Sequence, residues 1–318
     1  MTSEAAFIAA LRAIATAPGA RGLHDDAAVL AIGGAQLVLT MDAIVEGVHF
    51  LPGDPPDSVA WKLVATNVSD LAAKGAVPRG CLLAYPLADE DWNAAFLTGL
   101  AAACDAFAIP LLGGDTVRPP EASARSFALV ALGEGVAGVT VPARSGAQPG
   151  DDLWLSASVG DAGLGLALLQ GKGTADPSHT EALVERYRRP SPNPALGVAL
   201  APLVHAMMDV SDGVLIDTAR MAQASGARAV IELDRLPLSR AFVATLGDEL
   251  EHRLFAAQAG DDYCLLFAAP PSATGLISLS QTHGATLHRI GRIESGIGLA
   301  LTHAGTPVPL PERLGFQH

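Results

Sequence analysis

Apolar and polar residues alternate near the start of the chain in the pattern typical of half-buried β-strands. Residues 27–32 and 36–41 are predicted to form two such strands, joined by a turn at Gly33 and Gly34. Leu37, Leu39 and Met41 of the second strand share one face, so Thr40 and the following Asp42 are expected on the opposite face. The pattern therefore places two oxygen-bearing side chains on one face of a sheet.

Helical spacing of apolar residues predicts three helices in the same half of the chain. A short Ala-rich helix lies before Gly19. A second helix begins near Asp57 or Ser58, either of which can cap it, and ends at Gly75. A third helix follows Asp91 and has an apolar stripe along one side.

Two further strands are expected in this half. The apolar residues 109–112 are predicted to form a buried strand that ends at the tight turn of residues 113–115, and residues 127–133 form another apolar strand. Residues 142–150 are polar and rich in Gly and Pro. A segment of this composition indicates a domain boundary.

The second half mixes strands and helices without strict alternation. Strands are predicted at residues 152–157, 230–233 and 263–268, and helices are predicted to end near Leu169, His205 and Gly226. This order favours an α+β fold over a doubly wound parallel sheet. The two expected domains are residues 1–141 and residues 142–318.

The overall composition is that of a folded chain without nucleic-acid or membrane partners. Half of the 318 residues are hydrophobic and 17% are charged, which excludes an intrinsically disordered protein. The net charge of -13 argues against a nucleic-acid-binding surface, which would be basic. No apolar run reaches the roughly 18 residues that a membrane span needs. We therefore expect a soluble cytoplasmic protein.

The three cysteines, Cys81, Cys104 and Cys264, are scattered and lack the spacing of a metal site. Cys104 lies on the apolar stripe of the third predicted helix, where it is expected to be a small buried hydrophobe. The odd number of cysteines and the lack of a secretory signal favour a reducing compartment.

The candidate chemistry lies in six aspartates that stand in short motifs near predicted strand ends or helices: Asp26 in HDDAAVL, Asp42 in LTMD, Asp70 in NVSD, Asp115 in GGDT, and Asp209 and Asp212 in DVSDG. Carboxylates beside Gly, Ser and Asn suit Mg²⁺, which takes oxygen ligands and keeps several waters. The chain has no G-x-x-x-x-G-K-[ST] motif. A bound nucleotide would therefore be held mainly through metal ions on its phosphates.

Two of these motifs also have a purely structural explanation. Asp209 or Asp212 can simply cap the helix that follows. Asp70 can form a surface ion pair with Lys74, four residues ahead on the same helix. The apolar neighbours of Asp70 also allow an inward position for its carboxylate, but taken alone the motif favours the surface pair.

The GGDT motif and His49 leave similar alternatives open. Gly113 and Gly114 allow the backbone to approach a phosphate closely, although Asp115 and Thr116 can equally end a strand in a tight turn. His49 is either a packed, hydrogen-bonded side chain or a ligand to a substrate phosphate. It is not expected to bind zinc, because no second His or Cys stands at zinc spacing.

Taken together and in this order, the motifs resemble those of the thiamine-monophosphate kinase family, which belongs to the aminoimidazole ribonucleotide synthetase superfamily. The matching segments cover nearly the whole chain: DDAAVL, TMDAIVEGVHF, NVSDLAAKGAVPRG, LLGGDTVR, RSGAQPGD, RRPSPNP, DVSDGVLIDTARMAQASG and GDDYCLLF. The resemblance implies transfer of the γ-phosphoryl group of ATP to thiamine monophosphate, which gives thiamine diphosphate and ADP.

The resemblance also implies roles for individual residues, with several Mg²⁺ ions as cofactors and ATP as co-substrate. The magnesium positions of the family are matched by Asp26, Thr40, Met41, Asp42, Asp70, Asp115, Asp209 and Asp212. Among these, the expected catalytic residues are Asp42, Asp70, Asp115 and Asp212. The ATP positions are matched by Gly114, Asp115, Arg144 and Ser211. The thiamine phosphate positions are matched by His49, Asp261 and Phe316.

Three positions depart from the usual residues of the family. His24 replaces a Gly before the acidic pair. Met41 stands where a second hydroxyl residue is common, so only its backbone carbonyl can serve as a metal ligand. Asp261 replaces a Glu and is one methylene shorter.

The resemblance further implies an N-terminal domain that forms a barrel with a second protomer, and a C-terminal α/β sandwich. A homodimer is therefore expected. Selenophosphate synthetase would need a cysteine near the N-terminus, and the related hydrogenase-maturation protein would need one at the C-terminus; the chain has neither. Aminoimidazole ribonucleotide synthetase and a non-catalytic, metal-dependent nucleotide sensor remain as alternatives.

Overall fold

The computed structural model describes residues 4–120 and 123–317, and the strands of these residues form two sheets. The strands of the first sheet are β1 (Ala28–Ile32), β2 (Ala35–Val45), β3 (Ala76–Pro86), β4 (Leu111–Val117) and β5 (Ser126–Gly135). Their order across the sheet is β1-β2-β5-β3-β4. Neighbouring strands are antiparallel except β3 and β4, which are parallel.

The helices of the first half are α1 (Glu4–Arg12), α2 (Pro56–Ala73) and α3 (Glu90–Ala106). Helices α2 and α3 pack against one face of the first sheet. Aromatic rings fill the space between α3 and the sheet: the centroids of Phe96 and Phe127 are 4.9 Å apart, and those of Tyr85 and Phe96 are 4.8 Å apart. The buried apolar surface of these rings stabilises the first domain.

The second sheet belongs to the other half of the chain. Its strands are β6 (Asp152–Leu155), β7 (Ala206–Asp209), β8 (Arg228–Glu232), β9 (Leu265–Ala269), β10 (His288–Glu294), β11 (Gly298–His303) and β12 (Thr306–Val308). They lie in the order β12-β11-β8-β10-β6-β9-β7. The helices here are α4 (Asp161–Leu169), α5 (Pro177–Arg188), α6 (Pro194–Leu200), α7 (Val214–Ser225), α8 (Arg240–Leu246), α9 (Leu250–Gln258) and α10 (Leu276–Thr282).

Helix α2 lies between the two sheets. From Ser58 to Ala73 every residue except Trp61 is buried. One side of the helix contacts β2, β3 and β5, and the other contacts α6, β7 and β9. A helix that is buried all round belongs to the interior of the molecule. This helix therefore joins the cores of the two halves, and any side chain on its second side faces the other domain.

Most predicted elements are confirmed. The α+β class is correct, and β1, β2, α2, α3, β5, β8, β9 and α7 lie within a few residues of their predicted places. Strand β2 continues to Val45, and α6 ends at Leu200, before the predicted position near His205.

Strand β3 is a feature that the sequence pattern did not predict. Pro78 and Gly80 interrupt its apolar pattern, and both are typical of turns. The structure accommodates them in an irregularity, because the pairing of β3 with β5 shifts in register between Pro78 and Gly80. A bulge of this kind allows a strand to contain residues that break regular pairing.

The predicted buried strand over residues 109–112 is wrong in both extent and environment. Strand β4 begins at Leu111, passes through Gly113 and Gly114 without a turn, and is exposed along its whole length. The reason is its position, since β4 lies at the edge of the sheet and pairs only with β3. Ile109, which is buried, precedes the strand.

The expectations from composition are met in part. All three cysteines are free; Cys81 and Cys264 are buried, while Cys104 packs against the first core but is only partly buried. Within residues 4–120 and 123–317, no helix is both long and apolar enough to cross a membrane.

The close contact between α2 and α6 gives a test of the fold. A Cβ atom at Gly197 would lie 2.0 Å from the carbonyl oxygen of Ala72. Gly197→Ala should therefore force the helices apart and lower the free energy of unfolding by about 1–3 kcal/mol. Thermal denaturation followed by circular dichroism would measure the change. Gly53→Ala is the control, because a Cβ there meets no atom within 4 Å. Equal melting temperatures for both variants would contradict the packing.

Candidate active site

A cleft of about 380 Å³ lies between the first sheet and the second half of the chain. All residues that the sequence singled out, except Gly114 and Asp115, line this cleft: Asp26, Thr40, Met41, Asp42, His49, Asp70, Arg144, Asp209, Ser211, Asp212, Asp261 and Phe316. Residues from seven separate segments of the chain thus converge on one volume. A concave site that brings together several ionisable groups is a strong candidate for function.

Asp70 points into the molecule from α2. Its relative exposure is 8%, and the Thr40 hydroxyl of β2 donates a hydrogen bond to its Oδ2. Asn67, one helical turn earlier, accepts a hydrogen bond from the backbone N–H of Asp42 at 3.0 Å. The prediction of a surface ion pair between Asp70 and Lys74 is therefore wrong. Helix α2 instead aligns Thr40 and Asp42 with its own carboxylate.

Three of the carboxylates lie in a surrounding that opposes their ionisation. Burial, together with the charges of Asp26 and Asp212, raises the pKa of Asp42 to about 6. Burial also raises the pKa of Asp70 well above the ordinary range, and the nearby Asp42 raises it further. The pKa of Asp209 is likewise raised by burial and by the charge of Asp26. Added positive charge would relieve this repulsion.

Asp26 differs from these three because two cations neutralise it. Lys74 Nζ lies 2.6 Å from its Oδ2, and the Arg144 guanidinium pairs with its Oδ1. Although burial would raise the pKa of Asp26, these two cations hold it below its ordinary value. Lys74 also lies 2.5 Å from Oδ1 of Asp25 and donates to the carbonyl of Met207 at 3.1 Å. A fully buried lysine thus connects the acidic pair to the second domain.

The aspartates of DVSDG do not cap the helix that follows them. The residue before α7 is Gly213, and no side chain caps the helix. Asp209, at the end of β7, instead accepts a hydrogen bond from the Ser69 hydroxyl of α2 at 2.7 Å. The capping explanation is therefore wrong, and the motif is held by contacts with the other domain.

A residue of α7 shapes the DVSDG loop. Asp217 Oδ2 accepts hydrogen bonds from the backbone N–H groups of Ser211 and Asp212, both at 3.1 Å. Arg220 donates to Asp212 at 2.6 Å and to Asp217 at 2.8 Å. Asp217 is fully buried, so it acts as an internal support that directs Ser211 and Asp212 toward the cleft.

His49 and Phe316 are each fixed through their surroundings. His49 Nδ1 accepts a hydrogen bond from the backbone N–H of Val45 at 3.0 Å, so the neutral ring has its proton on Nε2. The backbone N–H of Phe316 donates to the carbonyl of Asp212 at 2.9 Å and holds the C-terminal segment at the cleft. Both residues line the same cleft as the aspartates.

Asp261 is oriented by two donors. Its Oδ1 accepts a hydrogen bond from the Tyr263 hydroxyl at 3.1 Å, and its Oδ2 accepts one from Lys62 at 2.9 Å. The backbone of Asp261 has a φ of 68°, which a non-glycine residue rarely adopts. Its N–H donates to the carbonyl of Ser211 at 2.8 Å, which secures this conformation.

Asp115 and Gly114 are not brought to the cleft within one chain. They belong to β4, which is separated from β2 by β5 and β3, or about 14 Å at the usual strand spacing. Asp115 pairs with Ala84, so it shares the uncovered face of the sheet with Met41 rather than the face of Asp42. A separate shallow depression of about 390 Å³ adjoins both residues.

The donor set suits Mg²⁺ together with a substrate. Among the described residues, no group of three or more His, Cys, Asp or Glu side chains is arranged to hold a metal ion by itself. Mg²⁺ commonly binds through one or two carboxylates and completes its shell with waters and substrate phosphates. Asp42, Asp70 and Asp209 could supply such ligands. Asp70 and Asp209 are buried and Asp42 is half-buried, all three have a raised pKa, and no cation among the described residues pairs with them.

Three supporting residues were not predicted from the sequence: Lys62, Lys74 and Asp217. Lys62 and Lys74 stand on or directly after an apolar helix, which was the only available signal that they are buried. Asp217 stands in the first turn of α7, where an acidic residue is ordinary.

Two family comparisons match the two halves of the chain. Residues 24–135 match the N-terminal domain of the AIR synthase related protein family, and residues 148–303 match its C-terminal domain. The chain is 40% identical to the thiamine-monophosphate kinase of Caulobacter vibrioides, over 95% of this chain and 86% of that protein. It is 36% identical to the thiamine-monophosphate kinase of Escherichia coli K12, over 93% of this chain and 91% of that protein.

Solved structures agree with these relatives. A structure described as AaThiL complexed with AMPPCP and TMP has a TM-score of 0.85 and 28% identity, covering 99% of this chain and 97% of that chain. Thiamine-monophosphate kinase from Stenotrophomonas maltophilia has a TM-score of 0.79 and 38% identity, covering 95% and 96%. E. coli HypE, a hydrogenase maturation protein, matches at 22% identity and shows only the shared fold. The chain belongs to the thiamine-monophosphate kinase family.

Proposed function

We propose that the chain phosphorylates thiamine monophosphate with ATP, producing thiamine diphosphate and ADP. The observation that carries this proposal is the convergence of Asp26, Asp42, Asp70, Asp209 and Asp212 on one cleft. Family membership supports the choice of reaction, since the relatives are thiamine-monophosphate kinases and one similar structure holds AMPPCP and TMP.

Several Mg²⁺ ions are proposed as cofactors, held by the cleft aspartates, with Thr40 and the Met41 carbonyl beside them. When bound, Mg²⁺ supplies positive charge that offsets repulsion between the two phosphate anions. Asp42, Asp70 and Asp209 fit this role because their raised pKa values report a surplus of buried negative charge. The Asp26 carboxylate stays ionised beside Lys74 and Arg144.

The protein side chains are proposed to act by positioning rather than by covalent catalysis. The attacking oxygen already belongs to a phosphate anion, so a direct in-line transfer needs no strong general base. Arg144 and Ser211 are proposed to contact the nucleotide phosphates, and His49, Asp261 and Phe316 to contact the acceptor; all five residues line the cleft. The Nε2–H of neutral His49 is a suitable donor for a phosphate oxygen.

A homodimer is proposed from the uncovered face of the first sheet. Five large apolar residues that share this face are exposed by 39–63%: Leu30, Ile32, Met41, Leu82 and Val117. An apolar surface of this extent on a sheet marks an interaction site. Asp115 belongs to the same face, and Gly114 precedes it on β4, so a second copy bound there would bring this segment to the cleft of its partner.

Replacing Asp70 tests the role of the buried carboxylates. Asp70→Asn keeps the size of the side chain but removes its charge, and it should lower kcat at least about 100-fold. An assay of ADP release with Mg·ATP and thiamine monophosphate measures this loss. Asp105→Asn, which changes an exposed aspartate of α3, should keep normal activity. Normal turnover in Asp70→Asn would contradict the scheme.

The raised pKa of Asp42 predicts that removing its charge stabilises the metal-free protein at high pH. The pKa rises from 3.8 in the unfolded chain to about 6 in the fold. The contribution of Asp42 to the free energy of unfolding is therefore fully present below pH 3.8. It is lost as the pH rises through about 6, where the folded protein loses this proton. Asp42→Asn should raise the melting temperature of the metal-free protein by a few degrees near pH 8, and should have little effect near pH 4. If Asp42→Asn melted at a lower temperature than the wild type at pH 8, repulsion between Asp42 and its neighbouring carboxylates would be contradicted.

Mixing two inactive variants tests the shared site. Asp70→Asn and Asp115→Asn should each be inactive as pure proteins. After mixed subunits reassociate, half of the dimers contain both chains, and each of these has one site with Asp70 and Asp115 intact. Activity should therefore recover to about a quarter of the wild-type value. A mixture that stays inactive although mixed dimers form, shown by two affinity tags, would contradict a site completed by the partner.

A further inference from the structure

The chain uses lysine very sparingly. Of its 20 Lys and Arg residues only three are lysines, namely Lys62, Lys74 and Lys172. Lys172 is exposed, whereas Lys62 and Lys74 are buried. Lysine is almost never fully buried unless it is paired. Lys74 belongs to the network around Asp26, so Lys62 is the buried lysine whose role is still to be explained.

The ammonium group of Lys62 contacts three groups from separate parts of the fold. Its Nζ donates to the backbone carbonyl of His49 at 2.9 Å and to Oδ2 of Asp261 at 2.9 Å. It also lies 3.9 Å from the centroid of the Tyr187 ring. An ammonium has three donors and no acceptor, so two hydrogen bonds and one aromatic face match its bonding capacity.

These contacts connect two walls of the cleft. His49 follows β2 in the first domain, and Asp261 precedes β9 in the second; both line the cleft. Lys62 is not one of the residues that line the cleft. Its ammonium group lies behind them and binds the backbone carbonyl of His49 and Oδ2 of Asp261. Lys62 therefore connects two cleft residues that belong to different domains.

The remaining contacts of these residues make the spacing rigid. The imidazole of His49 is held within its own turn by the N–H of Val45, and Oδ1 of Asp261 is held by the Tyr263 hydroxyl. The Tyr187 hydroxyl also donates to the His49 carbonyl at 3.5 Å, and Lys62 adds two shorter bonds, at 2.9 Å, that join the His49 turn to Asp261. Preorganisation of this kind favours binding, since less freedom is lost when a ligand enters.

We propose that Lys62 is a positioning residue for the acceptor substrate, which sets the distance between the His49 turn and Asp261 across the cleft. The inference rests on the proposed function, because it takes thiamine monophosphate as the acceptor that these two residues bind. A guanidinium would keep the charge but not the spacing, since it is longer and its donors lie in one plane.

The test compares Lys62→Arg and Lys62→Met with the wild-type protein, and uses Lys172→Arg as the exposed control. Each protein is assayed for kcat and for KM with both substrates, and its melting temperature is measured. Lys62→Arg should melt near the wild-type temperature but raise KM for thiamine monophosphate about tenfold, with KM for ATP unchanged. Lys62→Met should raise the same KM further. Lys172→Arg should behave as wild type.

The outcomes separate this inference from the proposed function. If the wild-type protein releases no ADP with thiamine monophosphate, the proposed function is wrong and the inference fails with it. If the wild type is active but Lys62→Arg keeps its normal KM for thiamine monophosphate, only the inference is overturned. An equal rise in both KM values would also overturn it, because a general loss of structure would explain it. Should Lys62→Met fail to fold, Lys62→Arg alone decides the question.

Discussion

The mutual repulsion of carboxylates buried in one cleft is the constraint on which the rest of this structure depends. Asp42, Asp70 and Asp209 have raised pKa values because burial and neighbouring charges oppose their ionisation. Such a site costs stability that other interactions must offset. Lys74 and Arg144 neutralise Asp26, and Arg220 pairs with Asp212, but none of these cations pairs with Asp42, Asp70 or Asp209, so negative charge still faces the cleft. That surplus suits a site for Mg²⁺ and polyphosphate.

Helix α2 is the element that makes the arrangement possible. Its apolar residues join the core of the first domain, while Ala72 and Ala73 join a cluster of the second. Because both domains pack on this helix, its polar side chains reach partners far away in sequence. Ser69 contacts Asp209, and Lys62 contacts Asp261. Hydrophobic burial of one helix thus aligns charged groups from both domains.

The features of this site that depend on neighbouring residues could be predicted from the sequence, whereas contacts between distant residues could not. The alternation in β2 placed Thr40 and Asp42 on one face, and this is confirmed. For Asp70 the local pattern favoured a surface ion pair, and only its apolar flanks pointed to the inward side chain that the structure shows. The contacts of Lys62 and Lys74 were not predictable, since their partners lie 199 and 49 residues away in the chain. Asp217 was missed because an acidic residue in a first helical turn is ordinary. The exposure of β4 depends on which strands pair, which no local pattern reports.

The central claim is that this cleft serves phosphoryl transfer to thiamine monophosphate. The most direct measurement is ADP release by the wild-type protein with Mg·ATP, offered thiamine monophosphate, thiamine or formylglycinamidine ribonucleotide in separate reactions. The account predicts release that depends on Mg²⁺ and occurs with thiamine monophosphate alone, together with formation of thiamine diphosphate. Release with formylglycinamidine ribonucleotide instead, or no release with any acceptor, would contradict it.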